Sequence, residues 1–227
     1  MQAPQALLSR LATEPAMAQG QPRLVVVLSQ LGDFDSLEYA EALVQAWDQI
    51  AAASIQVHAI GIGNSTSADQ FCAFTGFPRD HLSVDPTAEL HQELGLYAGL
   101  STGGGPWTNL LLMCAGIGSP GTLKEVIRGY TGDRSAPARL DSSLFDLAGQ
   151  GFQRPFELAT VRLNNMVEVL GRWSTYVPDQ RFLCQRGGTY LIDGNNELLY
   201  HHQDQGILGF SETMTNPLMF LKDYLNP

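Results

Sequence analysis

Cysteine, basic charge and long apolar runs are all scarce in this 227-residue chain, and each scarcity closes off a class of function. Three cysteines cannot build the dense disulfide framework of a small secreted domain. Thirteen Lys and Arg against 23 Asp and Glu leave a formal charge of -10, which argues against nucleic-acid binding and against attraction to an anionic membrane. The longest apolar stretch, Leu110 to Ile117, falls well short of the roughly 20 residues that cross a bilayer. Residues 1–10 lack the basic start and apolar core of a secretory signal, although Ala16-Met-Ala18 superficially resembles a cleavage site. We therefore expect a short N-terminal helix and linker over 1–22 and a cytoplasmic protein, with peripheral membrane contact through Trp107 as the minor alternative. Charged residues are only 16% of the chain, but 44% are hydrophobic and the mean hydropathy is -0.06, so a compact folded protein is expected rather than a disordered one. The length suits one elaborated domain or one domain carrying a large insertion.

The segment 23–29 carries a continuous β-branched run at its centre, Leu24 to Leu28, as in a strand buried on both faces of a parallel sheet. Leu37, Ala40, Leu43, Val44, Trp47 and Ile50 recur at intervals of three and four, which predicts one helix over 36–52, opened by Asp35 and Glu38 in capping-box spacing. A second strand is expected at 55–62, a helix at 67–75 stopped by Gly76, and a short strand at 81–85. Residues 85–89 read as an N-capping pattern before a helix carrying Leu90, Leu94 and Leu96. Residues 188–202 read as two strands joined by a turn at 193–196, and a last helix follows Pro217. Alternating strands and helices of this kind imply an α/β core with a parallel crossover.

Charge is unevenly spread. Residues 122–186 hold nine Lys and Arg against seven Asp and Glu, a net +2 that leaves -12 for the rest of the chain. Most of this basic block falls in the stretch of about 101–181 that interrupts the α/β pattern, and we expect that stretch to be a mostly helical insertion in a domain spanning 23–227.

The stretches 31–43, 71–78, 85–90, 94–97 and 187–194 give the chain a resemblance to the thioredoxin fold and, more narrowly, to the AhpC/TSA, peroxiredoxin-like family. The likeness covers roughly 23–100 and 182–225, while 115–124 and 151–157 resemble the versions found in cyanobacteria. It implies a mixed central sheet flanked by helices. It also implies a redox cysteine pair at the turn after the first strand, where a helix N-terminus stabilises the thiolate. The aligned stretch here is Gly32-Asp33-Phe34-Asp35-Ser36, with Asp33 and Ser36 in the two cysteine positions. A carboxylate performs no thiol chemistry, and a serine needs an activating base, so ordinary redox catalysis is not expected.

Among the remaining thiols, Cys72 and Cys114 read as packed. Cys184 is the more interesting, because Arg186 stands near it and the Gly188 bend lies opposite the lost pair in the fold implied by the resemblance. Asp33 and Asp35 read as helix-start residues rather than paired acids. His201, His202 and Asp204 read as a solvated hairpin end, because adjacent strand residues point to opposite faces. No metal or cofactor is expected.

Two functions remain. One is a protein-binding or scaffolding role in which Arg154, Arg162, Arg172 and Arg186, with Trp107 and Trp173 as anchors, meet an acidic partner. The other is a thiol oxidoreductase working through Cys184. Carriage of a small hydrophobic ligand beneath the insertion is a third option without a positive motif.

Overall fold

The computed structural model describes residues 1–15, 17, 20–133 and 150–225, with backbone alone at 150–156. Strand β1 (Arg23–Gln30) lies at the centre of a five-stranded sheet. It runs parallel to β2 (Gln56–Ile62), which is parallel to β3 (Leu82–Val84). On its other side β1 pairs antiparallel with β4 (Gly188–Ile192), and β4 with the edge strand β5 (Leu198–Gln203). All eight residues of β1 are buried, which accounts for its unbroken apolar run. Leu24, Val26 and Leu28 enter one core cluster, and Val25 and Val27 enter a second on the opposite face.

The second core is closed by α1 (Gln5–Leu11), whose Leu7 and Leu11 are buried against the sheet. The first is covered by α2 (Phe34–Gln45), α3 (Trp47–Ala52) and α4 (Ser65–Thr75). The single helix predicted over 36–52 is broken at Ala46, whose ψ of 2° ends α2. The new start turns Trp47 edge-on to Phe77 and His81. Helix α4 opens with a reciprocal Asn64–Ser67 cap and stops at Gly76, whose φ of 75° is the left-handed conformation that a glycine adopts without strain. Asp85 accepts from the Leu90 and Thr87 amides at the head of α5 (Glu89–Glu93), as its sequence position suggests.

The interrupting stretch is helical where it is described. It contains α6 (Gly105–Cys114), α7 (Thr122–Thr131), α8 (Gln150–Gly171) and α9 (Trp173–Tyr176). Helix α8 packs on α2 and α7, and so ties the insertion to the body. The C-terminal helix is shorter than expected: a 3-10 turn at Met219–Leu221 leads into α10 (Lys222–Leu225). No helix among the described residues is long and apolar enough to cross a membrane.

Candidate functional site

Where β1 ends, the chain must turn tightly under the insertion. A Cβ on Gly32 would stand 2.7 Å from the Val177 side chain and 2.9 Å from the Tyr176 Cβ, so only glycine fits. Asp33 follows as the cap of α2, its carboxylate facing the Asp35 amide at 3.4 Å. The expected Asp35–Glu38 capping box does not form. Asp35 turns inward, 3% exposed, and its carboxylate accepts from the Leu208 amide at 2.6 Å and from the Arg186 guanidinium at 3.2 Å. Glu38 pairs instead with Arg162 of α8 at 3.2 Å.

Arg186 organises this end of the sheet. It immediately precedes Gly187, whose absent side chain lets the backbones touch: a Cβ there would lie 2.1 Å from the Val27 carbonyl oxygen. The guanidinium, 1% exposed, donates to Asp33 at 2.5 Å, to Asp35, and to the Leu183 and Cys184 carbonyl oxygens at 3.1 Å each. The paired carboxylates outweigh its burial and hold its pKa above the ordinary arginine value. Arg186 therefore cannot present a cation to a partner surface, which corrects that part of the expected arginine patch.

Around this ion cluster lies a cavity of about 10 Å³, lined in part by Ser29, Asp35, Ser36, Tyr39, Thr189 and Asp204. That is room for one water and no more. The Ser29 and Ser36 hydroxyls lie 3.2 Å apart, and Tyr39 shares a hydrogen bond with Thr189 at 2.9 Å. Burial, reinforced by Asp33, pushes the Asp35 carboxyl well above the usual carboxylate value, opposed by Arg186. Burial likewise raises Asp204, opposed by His202 at 3.3 Å. Burial disfavours the charged form of His202, but Asp204 and the Gly209 carbonyl prevail and raise its pKa. The sequence expectation of a solvated hairpin end is thus overturned for His202 and Asp204, which the 206–210 segment covers. Only His201 projects into solvent.

The structure brings Asp33 and Arg186 together, sets the Ser36 hydroxyl against Ser29 instead, and places Cys184 beside Arg186 through its backbone. The Cys184 thiol points the other way, packed with Met113, Ile207 and Leu208 and 3.7 Å from the Pro106 carbonyl oxygen. Burial raises its pKa despite Arg186. Cys72 is buried in α4, its pKa pushed up to about 11 by burial. Cys114 is exposed, contrary to expectation, because α6 turns that side outward. Trp107 and Trp173 pack against each other at a tilt of 31°, ring centres 5.0 Å apart, with Trp107 45% exposed and its Nε1–H donating to Gln180. Arg172 is half-exposed and pairs with Glu168 one helical turn back. The Arg162 side chain is largely buried, bonded to Glu38 and to the Glu125 carbonyl oxygen. The Arg154 side chain, with Arg134 and Arg139, lies outside the described residues.

Sequence reasoning missed the inward turn of Asp35 and the burial of Asp204. The available signal was the Asp33-x-Asp35 pair, which has more acid than one cap needs, with Arg186 immediately before a Gly-Gly bend. Chemically the cluster is self-satisfied. The guanidinium makes four hydrogen bonds, so an incoming anion would have to displace a buried carboxylate. Among the described residues no group of three His, Cys, Asp or Glu side chains is placed to hold a metal ion.

Comparison with curated proteins and with solved structures finds no match. A model of the AhpC/TSA antioxidant enzyme family matches residues 42–206, a span that takes in β2 to β5 and the insertion and begins beyond the Asp33 turn. With a mixed five-stranded sheet flanked by helices, and that match over most of its length, the chain belongs to the AhpC/TSA family and has its thioredoxin-like α/β fold.

Proposed function

We propose that this family member performs no thiol-dependent peroxide chemistry and acts as a protein-binding scaffold in the cytoplasm, with an insertion of the cyanobacterial type as its binding element. The observation that carries this is the Asp33 carboxylate at the cap of α2, held by a buried Arg186. In the redox-active relatives that the sequence resembles, a thiolate stands at this cap. The raised pKa values of all three thiols support the same conclusion, because the thiolate is the attacking species.

The binding surface of this reading is Arg172 with Trp107 of α6, both exposed, the latter backed by the half-buried Trp173. An acidic protein partner would meet Arg172 there, with Trp107 as the aromatic anchor. The test has two arms. Peroxide turnover coupled to reduced thioredoxin is expected to equal the protein-free rate, and turnover abolished by Cys184→Ser would replace this function with an oxidoreductase. Partner capture from the native host is expected to weaken in Arg172→Glu and Trp107→Ala, and capture unchanged in both would refute the surface.

A further inference from the structure

On the face of the sheet that α1 covers, a groove of about 820 Å³ runs between α1 and the chain that leaves β3. That volume lies within the range of ligand sites. One wall is α1, which presents Gln5 and Ser9, with Thr13 in the turn beyond it. The other is α5, which presents Glu89 and Glu93 one helical turn apart. All five side chains are exposed, so the groove is open to solvent, and Ala6, Val84 and Leu90 add apolar surface to its lining.

Charge and spacing select the occupant. Arg10 is committed to Glu14 at 3.5 Å and to the Val84 carbonyl oxygen at 3.4 Å, and the Asp85 carboxylate to the Thr87 and Leu90 amides. Glu89 and Glu93 have no ion pair or side-chain hydrogen bond among the described residues. Two uncommitted carboxylates, in the part of the chain that carries -12, repel an anion and draw a cation. Four residues of α-helix rise about 6 Å, and alternate side chains of an extended peptide recur at about 6.6 Å, so two basic side chains on one side of such a peptide match Glu89 and Glu93. The α1 wall from Gln5 to Thr13 is about 12 Å long, which accommodates about four extended residues. Pairing as a sixth strand is blocked, because the Leu82 and Val84 carbonyl oxygens of β3 already accept from Arg79 and Arg10.

We propose that this groove binds an extended basic segment of a partner protein, with Lys or Arg at alternate positions on Glu89 and Glu93 and the side chain between them directed at Ala6 of α1. This goes beyond the scaffolding function and uses residues apart from Arg172 and Trp107, so either can fail alone. The probe is the capped peptide acetyl-Ala-Lys-Val-Lys-Ala-amide, titrated into the isotope-labelled full chain and followed by amide chemical shifts. Saturable shifts are expected at residues 5–13 and 84–93, with a Kd of about 1 mM or tighter at low salt and severalfold weaker binding at about 200 mM salt. Glu89→Gln and Glu93→Gln are each expected to weaken binding about threefold, and together about tenfold, as befits exposed ion pairs. Asp48→Asn, an exposed acid of α3 across the sheet, is expected to change nothing. The same spectra report whether each variant is folded. The proposal is overturned by the absence of saturable shifts, by shifts centred elsewhere, by a double variant that binds like the wild type, or by equal weakening in Asp48→Asn. Equal binding of the peptide with Glu in place of Lys also overturns it, and so does spermidine binding as tightly as the peptide, which would make the groove a small-polyamine site.

Discussion

Replacing Arg186 with Met removes the cation that two carboxylates, Asp33 and Asp35, pair with, and the loss can be worked through from the structure. Two ion pairs go, to Asp33 and Asp35, together with donors to the Leu183 and Cys184 carbonyl oxygens. Arg186 and Asp35 are both almost fully buried, so the relevant magnitude is that of breaking a buried pair and stranding its partner, about 3–5 kcal/mol. An unfolding entropy of about 2.1 cal/mol/K per residue gives a chain of 227 residues about 0.5 kcal/mol/K, and the expected fall in Tm is about 6–10 °C. The deficit also depends on pH. Asp35 already has a folded-state pKa raised by burial, so its contribution to stability is present below the ordinary carboxylate range and is lost as pH rises through the folded value. Removing Arg186 raises that folded value further, so the Arg186→Met deficit widens toward neutral pH and narrows toward acid. Adding Asp35→Asn, which removes the stranded charge, is expected to recover part of the loss. Differential scanning calorimetry at several pH values provides the readout. A Tm within about 2 °C of wild type, or no recovery in the double variant, would refute the account of the cluster as a buried ion network.

Three further outcomes are expected. Burial holds His58 neutral, its pKa down to about 4 despite Glu14 at 3.5 Å, so its contribution to stability is present above its ordinary value of 6.5 and is lost as pH falls toward 4. His58→Gln should therefore flatten the loss of Tm between pH 7 and pH 5, leaving the smaller slope owed to the similarly buried His91. Thiol titration of the native protein should find one slow-reacting cysteine, Cys114, abolished by Cys114→Ser, with Cys72 and Cys184 reacting only after unfolding. Gly187→Ala should destabilise by more than about 3 kcal/mol in chemical denaturation, because its Cβ would collide with strand backbone rather than with a movable side chain.

The elements legible in the sequence are those fixed by local chemistry. The β-branched run of β1, the Asp193–Asn196 turn, the Gly76 stop and the Asp85 cap each depend on a few neighbouring residues, and each stands where its pattern places it. The features that escaped depend on partners far along the chain. Asp35 looks like a cap until Arg186, 151 positions later, draws it inward. His202 and Asp204 look solvated until the segment around Phe210 folds over them, and Phe210 stacks on Tyr39 at 4.8 Å. The break at Ala46 has no glycine or proline to announce it. The arginines of the insertion form a basic block by composition, but Arg128 and Arg162 spend that charge on internal carboxylates. Composition alone does not distinguish a surface patch from a set of buried pairs.

The central claim is that no cysteine of this chain acts on peroxide, and the most direct measurement is peptide mass spectrometry after the reduced native protein meets equimolar hydrogen peroxide in the presence of a sulfenic-acid trap. The account predicts no trapped adduct at Cys72 or Cys184 and no more at Cys114 than in a free-thiol peptide. Rapid, stoichiometric trapping at Cys184 would contradict it.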